Sequence, residues 1–211
     1  MPSRSPKQAL ARVTDATLAQ LSRRLGRTLV VTGRRVTTAE SCTGGFIAKV
    51  ITDIAGSSEW FGEGFVTYGN AAKQARLGVP GAVLARQGAV CEATARAMAV
   101  GALESSGADL AVAVTGIAGP GGAAPGKPVG TVWLCWAAHD GRRLRVVVAL
   151  QRFRGDRDAV RRKTVREALR GLLTLAASLQ PRIGRPLARG GRPMTRGAQS
   201  SAPHAKKTQR A

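Results

Sequence analysis

The stretch VTTAESCTGGFIAKVI (residues 36–51) joins a β-branched run to an apolar helical pattern through a turn that contains one serine and two glycines. The run over residues 35–39 predicts a strand, and the pattern from Phe46 to Ile54 predicts a helix. Ser41 is therefore expected at a strand-to-helix turn, where the first N–H groups of a helix can stabilise negative charge beside a nucleophile. On these residues alone, the alternative is that Ser41 or Thr43 simply caps the helix.

Alternating helix and strand patterns surround this turn. A short amphipathic helix with Leu18, Leu21 and Leu25 precedes it and is predicted to end at Gly26. The predicted elements after the turn are, in chain order, a strand-like run through Phe61, Phe65, Val66 and Tyr68, a brief helix that Asn70 can cap and that ends at Leu77-Gly78, a long helix between Gly88 and Gly107, strands over 110–115, 131–138 and 144–153, and a helix that starts near its N-cap Asp156 and runs to about Leu179.

The connections between these elements set the fold class. The strands over 131–138 and 144–153 are joined by Asp140-Gly141, which predicts a β-hairpin and excludes a wholly parallel sheet. We therefore expect a three-layer α/β/α domain around a mixed β-sheet over residues 16–179. Residues 1–15 are predicted to form a flexible arm, and residues 180–211, rich in Pro, Gly, Arg and Ser, a disordered basic tail.

Composition limits the classes of function. The chain has 33 basic and 12 acidic residues, a formal net charge of +21, and residues 181–211 hold eight of the basic residues and no acid. This charge allows an anionic substrate, and weak nonspecific contact of the tail with nucleic acid, but it identifies neither. Three cysteines without a CxxC pair indicate a reducing compartment, and two histidines argue against a histidine-rich metal centre. Since neither a long apolar run nor a signal-peptide pattern is present, we expect a cytoplasmic protein without membrane contact. No metal and no cofactor are expected either.

A tyrosine and a lysine follow the second predicted strand. Tyr68 ends that strand, and Lys73 lies about one turn into the next helix, so both can converge with Ser41 from a neighbouring strand end. A lysine that is desolvated or held near another cation loses proton affinity and can act as a general base for a hydroxyl group. The alternative is that Tyr68 packs at the strand end and that Lys73 is a solvated helix charge.

Two more segments provide candidate ligand contacts. The glycine-rich loop that begins Thr115-Gly116 and reaches Gly119 leaves a buried strand, and its amides can cradle a phosphate or line a small-molecule pocket. It is neither a Walker A loop nor a GxGxxG fingerprint, and a plain long turn explains the same residues. Arg157, directly after the helix cap Asp156, works against the helix dipole and is therefore a candidate for gripping an anion.

Several segments resemble, in sequence and in order, the motifs of the CinA C-terminal domain family. The matching segments are 38-TAESCTGG-45, 64-GFVTY-68, 70-NAAK-73, 87-QGAV-90, 115-TGIAGP-120, 127-KPVGTV-132 and 155-GDR-157. The resemblance covers roughly residues 16–179 and also implies a homodimer with a fairly apolar interface. One departure is Cys91, which stands at a predicted helix N-cap where the family usually has serine, a change that costs up to about 1 kcal/mol.

The resemblance implies an acyl-transfer hydrolysis. In stand-alone bacterial members of the family the substrate is nicotinamide mononucleotide, and the products are nicotinate mononucleotide and ammonia. Ser41 matches the nucleophile of the family, Tyr68 and Lys73 match residues implicated in activating it, and Arg157 matches an arginine near the substrate end. The expected substrate contacts are Thr43, Gly44, Gly45, Thr115, Gly116, Gly119 and Arg157.

Two other classes of function compete with this interpretation. The first is a non-catalytic nucleotide-binding domain linked to the regulation of competence or DNA damage, which a degenerate site would favour; Ser41, Tyr68 and Lys73 are all present and argue against it. The second is a nucleic-acid-binding protein, but no stacking platform accompanies the basic tail. The sequence leaves open the preferred amide substrate and which of Tyr68 and Lys73 takes the proton.

Overall fold

The computed structural model describes residues 12–140 and 143–179. The predicted arm lies largely outside these residues, and the predicted tail over 180–211 lies entirely outside them. The elements are α1 (Asp15–Thr32), β1 (Val36–Glu40), α2 (Phe46–Thr52), β2 (Phe61–Val66), α3 (Asn70–Leu77), α4 (Gly81–Gln87), α5 (Glu92–Ser106), β3 (Leu110–Gly116), β4 (Thr131–Asp140), β5 (Arg143–Arg152) and α6 (Arg157–Ala177).

The five strands form one mixed sheet in the order β2-β1-β3-β4-β5. β1 runs parallel to both β2 and β3, whereas β4 runs antiparallel to both β3 and β5. The predicted mixed sheet is confirmed. The chain leaves β1 towards β2 on one side and later returns to β3 on the other, so the carboxyl end of β1 lies at a topological switch point. Open α/β sheets bind their ligands at this position.

Helices cover both faces of the sheet, as the predicted three-layer architecture requires. Along β3, Val112 and Val114 pack into the core that contains Leu18 of α1 and Leu169 of α6. The alternate residues Ala111 and Ala113 pack into the core around α5 on the opposite face. Because successive strand residues point to opposite faces, the wholly apolar run of β3 identifies a strand buried on both sides.

The prediction that the first helix ends at Gly26 is wrong. α1 continues to Thr32 and ends at Gly33, whose φ of 63° gives the left-handed conformation typical of a helix C-cap. Gly26 is instead a packing glycine, because a Cβ there would lie 2.8 Å from the ring of Trp60. The absence of a side chain lets the buried indole of Trp60 lie against the helix.

The remaining differences from the predicted elements are small. Asn70 is the first residue of α3 and not its cap, which is Gly69. The sequence did not predict α4, whose seven residues are flanked by Pro80 and Gly88, both of which favour turns. α5 begins at Glu92 with Cys91 as its N-cap, since the backbone N–H of Thr94 donates to Cys91 Sγ over 3.4 Å. The predicted cap at Asp156 of α6 is confirmed in the same way. Within the described residues, none of the helices combines the length and hydrophobicity that crossing a bilayer requires.

Candidate active site

Ser41 lies at the carboxyl end of β1, in the turn that leads into α2. Its backbone N–H donates to Val114 O on β3 over 3.1 Å, and its carbonyl accepts from the N–H of Gly44 over 3.1 Å. Gly44 and Gly45 have φ angles of 59° and 89°, in the left-handed region that glycine adopts without strain. The predicted strand-to-helix turn is therefore present, and its two glycines are required by its backbone.

Glu40, the residue before Ser41, is a fully buried carboxylate. One of its oxygens accepts from Thr43 Oγ1 over 2.7 Å and from the N–H of Ile47 over 3.0 Å, and the other accepts from the N–H of Ala48 over 2.8 Å. Three donors satisfy the buried charge, and two of them are N–H groups in the first turn of α2. Glu40 therefore caps α2 from the preceding strand.

This cap changes the expected source of electrostatic stabilisation. The first-turn N–H groups of Ile47 and Ala48 are occupied by Glu40, and the N–H of Phe46 donates to Thr43 O over 3.3 Å. The expectation that the first turn of α2 has amides available for negative charge is thus wrong. Within the described residues, the N–H groups of Cys42 and Thr43 donate to no backbone carbonyl, so these two groups of the turn are the candidate donors.

Lys73 of α3 is fully buried beside Ser41. Its Nζ lies 3.0 Å from Ser41 Oγ, 2.7 Å from Thr67 O and 3.1 Å from Tyr68 O. We refer to Ser41, Lys73 and the carbonyl groups of Thr67 and Tyr68 as the catalytic corner. The predicted convergence of Ser41 and Lys73 is present, and the alternative of a solvated helix charge at Lys73 is wrong.

Burial in the corner lowers the proton affinity of Lys73. Within the described residues, Lys73 forms no ion pair with a carboxylate. Burial therefore lowers the pKa of the Lys73 ammonium group, because the charged form loses its hydration. A neutral amine donates its two N–H bonds to Thr67 O and Tyr68 O, and its lone pair then remains for the hydroxyl hydrogen of Ser41.

The side chain of Tyr68 points away from this corner. It is 62% exposed, and its hydroxyl oxygen accepts from Arg157 Nη2 over 3.2 Å. Arg157 also donates through Nη1 to Gly119 O over 2.7 Å. We call these three groups, the Tyr68 phenol, the Arg157 guanidinium and the Gly119 carbonyl, the substrate rim. Two hydrogen bonds leave three N–H bonds of the guanidinium for a ligand.

The glycine-rich loop contributes to the rim mainly through Gly119. Gly119 is buried with a φ of 85°, and a Cβ there would lie 2.7 Å from Val129 Cγ1. A Cβ at Gly116 would lie 2.6 Å from Thr131 O, so close packing of β4 explains this glycine. The hydroxyl group of Thr115 is buried and donates to Ala89 O over 2.7 Å. Packing therefore accounts for Thr115 and Gly116, two of the predicted substrate contacts.

Thr43 is held from two sides. Its hydroxyl donates to Glu40, and its carbonyl accepts from Arg161 Nη2 of α6 over 2.8 Å. The side chain is fully buried, so its hydroxyl is committed to the protein. Sequence reasoning did not assign roles to Glu40 and Arg161. Two features of the sequence could have indicated these residues. Glu40 is a carboxylate at the end of an otherwise buried strand, and Arg161 lies four residues after Arg157, a spacing that places two side chains side by side on a helix.

Cys42, between Ser41 and Thr43, is not a candidate nucleophile. Burial raises the pKa of its thiol to about 12, so the unreactive protonated form prevails near neutral pH. The cysteines at positions 42, 91 and 135 are all free and buried. Within the described residues, no group of three or more His, Cys, Asp and Glu side chains is arranged to hold a metal ion.

Comparisons with known proteins agree with the fold. The family model for the CinA C-terminal domain matches residues 18–176. The chain is 52% identical over 160 residues to nicotinamide-nucleotide amidohydrolase PncC of Escherichia coli strain K12, covering 76% of this chain and 95% of the relative. It is 53% identical over 158 residues to the protein of the same name from Pseudomonas putida, covering 75% and 96%. The crystal structure of the competence/damage inducible protein CihA from Agrobacterium tumefaciens superimposes with a TM-score of 0.73 at 46% identity, covering 78% and 98%.

Proposed function

The chain belongs to the CinA C-terminal domain family and is an amidohydrolase, and we propose that it hydrolyses the amide of nicotinamide mononucleotide to nicotinate mononucleotide and ammonia without a metal ion. The observation that carries this proposal is the 3.0 Å contact between Lys73 Nζ and Ser41 Oγ, with Lys73 buried and unpaired with any carboxylate of the described chain. An amide carbon is a poor electrophile, so its hydrolysis needs an activated hydroxyl, donors for the oxyanion and a proton for the leaving ammonia.

Acylation begins with neutral Lys73. Its amine takes the hydroxyl proton as Ser41 Oγ forms a bond to the carboxamide carbon, and the electron pair of the C=O bond moves to oxygen. The N–H groups of Cys42 and Thr43 are our candidates for holding that oxyanion, since neither donates to a backbone carbonyl in the described chain. When the tetrahedral intermediate collapses, the C–N bond breaks and the Lys73 ammonium group protonates the departing nitrogen, which leaves as ammonia.

Deacylation repeats the proton transfers with water. The amine of Lys73 takes a proton from the water that attacks the nicotinoyl ester of Ser41, and it returns the proton to Oγ when the ester bond breaks. The product is a carboxylate. The backbone carbonyls of Thr67 and Tyr68 hold the Lys73 amine in place through both half-reactions, so Tyr68 assists catalysis at least through its main chain.

The rim is our proposed site for the phosphate of the mononucleotide. Phosphate oxygens match the planar donors of a guanidinium group, and Arg157 has donors beyond those used by Gly119 and Tyr68. The contact from Arg157 to Gly119 O fixes the first turn of α6 against the glycine-rich loop. Such an arrangement positions the charged end of the substrate while the carboxamide lies in the catalytic corner.

The test is ammonia release from nicotinamide mononucleotide by the purified full-length protein in the presence of a chelator. We expect turnover by the parent and loss of at least about 10³-fold after Ser41→Ala, the scale of removing a nucleophile or a donor of the transition state. Circular dichroism should show an unchanged fold for this variant. Residual activity above a tenth of the parent rate would remove Ser41 from the nucleophile role, and a chelator-sensitive parent would disprove metal independence.

A homodimer is a further part of the proposal. β5 is an edge strand, and its side chains Leu144, Val147 and Leu150 are 44%, 51% and 40% exposed. An exposed apolar edge strand invites pairing with another strand, and a second copy of the chain supplies one. Light scattering should return a dimer mass at micromolar concentration and a monomer mass after Val147→Lys. The matched control is Val31→Lys on α1, where the side chain is 80% exposed; a monomeric parent would contradict the proposal.

We also propose a reducing, cytoplasmic location, which the three free cysteines of the described chain support.

The proposed contact between the basic tail over 181–211 and nucleic acid is an accessory property, and truncation after Gln180 should abolish it without changing amide hydrolysis. Retention measured on heparin at several salt concentrations separates the two forms, because contacts with a polyanion weaken steeply as salt rises. Equal retention of the truncated protein would place this contact elsewhere.

A further inference from the structure

Position 45 needs a residue without a side chain, and this creates a capping problem for α2. Helix N-caps usually use Ser, Thr, Asp or Asn, whose side chain accepts from the second or third N–H of the helix. The N-cap of α2 is Gly45, with a φ of 89° and no side chain to accept such a bond. A Cβ at this position would make only an ordinary contact with Val66 Cγ2, at 3.4 Å, so the positive φ is what favours glycine here.

Glu40, at the other end of the turn, supplies the missing cap. Its two carboxylate oxygens take the N–H groups of Ile47 and Ala48, which are the donors that an N-cap side chain would normally satisfy. The same carboxylate takes the hydroxyl of Thr43 over 2.7 Å. A single fully buried side chain therefore ties the last residue of β1, the middle of the turn and the first turn of α2 together.

The residues tied in this way enclose Ser41 and Cys42. Because Glu40 and Thr43 flank these two residues in sequence, the contact between their side chains closes a four-residue loop that contains the nucleophile. The carbonyl of Thr43 is fixed on the opposite side by Arg161 Nη2 over 2.8 Å. The peptide groups of Cys42 and Thr43, our candidate oxyanion donors, are thus held between a carboxylate and a guanidinium group.

We infer that Glu40 is a positioning residue for catalysis, and that Thr43 acts with it through its hydroxyl rather than by contacting the substrate. This clamp, defined as Glu40, Thr43 and Arg161, holds Ser41 Oγ at its distance from Lys73 and keeps the turn amides aimed at the reacting carbonyl. It rests on the proposed serine mechanism, and it replaces the expectation that Thr43 binds substrate. Small displacements of such groups are costly, because catalysis depends on near-attack geometry.

Two substitutions at Thr43 separate the clamp from substrate binding. Thr43→Val keeps the shape of the side chain and removes the hydroxyl, whereas Thr43→Ser keeps the hydroxyl. We expect Thr43→Val to lower kcat by about 10- to 100-fold with KM within about threefold of the parent, and Thr43→Ser to restore most of the rate. A raised KM with an intact kcat in Thr43→Val would place the hydroxyl on the substrate and overturn the inference.

Glu40→Gln tests the carboxylate with little change in volume. A carboxamide has only one acceptor oxygen, so at least one of the N–H groups of Ile47 and Ala48 loses its partner, and we expect a loss of kcat similar to that of Thr43→Val. The control for simple helix destabilisation is Ile51→Val, which removes a methyl group from the fully buried far end of α2. It should lower the melting temperature and keep the parent kcat at 25 °C. An unchanged kcat in Glu40→Gln, or an equal loss in Ile51→Val, would overturn the inference.

A substrate-independent measurement keeps this test separate from the proposed function. The rate at which a fluorophosphonate probe labels Ser41, followed by intact-protein mass spectrometry, reports the reactivity of the serine alone. Slower labelling in Glu40→Gln and Thr43→Val, together with parent labelling in Ile51→Val, supports the clamp even if the parent does not hydrolyse nicotinamide mononucleotide. If Glu40→Gln does not fold, Thr43→Val decides: labelling at the parent rate in that variant overturns the inference.

Discussion

Lys73 in the catalytic corner is fully buried, whereas on the adjoining rim Arg157 is exposed and Tyr68 keeps 62% of its surface accessible. Both regions contain a basic side chain that donates to backbone carbonyls. Burial determines the difference in their chemistry. Burial without an ion pair in the described chain lowers the proton affinity of the Lys73 ammonium group and suits it to proton transfer, while the exposed guanidinium of Arg157 is suited to holding an anion. Substitutions should therefore affect rate in the corner and affinity on the rim.

The largest effect is expected for Lys73→Met, which keeps an unbranched chain and removes the amine. We expect kcat to fall by at least about 10²-fold, the usual contribution of a positioned proton-transfer group, with a smaller change in KM. The matched control is Lys49→Met on α2, whose ammonium group is 66% exposed and paired with Asp53. If steady-state kinetics show only a higher KM for Lys73→Met, this lysine contacts the substrate and is not the general base.

On the rim, Arg157→Lys should change affinity rather than rate. An ammonium group keeps the charge but not the planar set of donors, so we expect KM for the mononucleotide to rise by about tenfold, equivalent to about 1.4 kcal/mol. Slow hydrolysis of the phosphate-free riboside should hardly change. Equal losses on both substrates would show that Arg157 supports the structure of the loop around Gly119 and does not bind phosphate.

A smaller effect is expected for Tyr68→Phe. The substitution removes the hydroxyl that accepts from Arg157 and leaves the backbone carbonyl that accepts from Lys73, so a loss of about two- to fivefold in kcat/KM is expected, the scale of one exposed hydrogen bond. Comparison of the kcat/KM values of Tyr68→Phe and the parent checks this. A loss of about 10²-fold would instead identify the phenol of Tyr68 as the proton-transfer group and assign its side chain to the catalytic corner.

The corner should also affect stability as pH changes. Because burial lowers the pKa of Lys73 in the folded chain, the unfolded chain binds more protons between that lowered pKa and the ordinary lysine value. The free energy of unfolding should therefore increase as pH rises through this window. Urea denaturation of the parent and of Lys73→Met across that range measures the contribution of Lys73 as a difference; an identical slope in both proteins would contradict it.

Much of the corner was predictable from sequence, because strand order and element ends determine it. Ser41 follows a buried strand and Lys73 follows the next one, and parallel neighbours bring their carboxyl ends to one edge of the sheet. The direction of a side chain at a strand end was not predictable, and for this reason the phenol of Tyr68 was expected nearer to the serine. The reach of Glu40 across the turn depends on its rotamer and on the missing cap at Gly45, neither of which leaves a periodic pattern.

The structural roles of the glycines were the hardest to predict from the sequence of this chain. Gly26 and Gly33 both follow helical patterns, and only the packing of Trp60 against Gly26 shows that the helix continues past the first of them. The residues from Val79 to Gly88 contain three glycines or prolines beside short apolar runs, which obscured α4. Local propensity assigns such residues to turns, whereas close packing between distant segments decides their actual conformation.

The central claim is that neutral Lys73 deprotonates Ser41, and the pH dependence of kcat/KM for nicotinamide mononucleotide, measured in chelator-treated buffer, tests it most directly. Only the neutral amine accepts the proton, so the rate should rise with pH along a single limb whose midpoint lies below the ordinary pKa of lysine, and this limb should disappear from the residual activity of Lys73→Met. A profile that is flat across the neutral and alkaline range, or a limb that persists in Lys73→Met, would contradict the account.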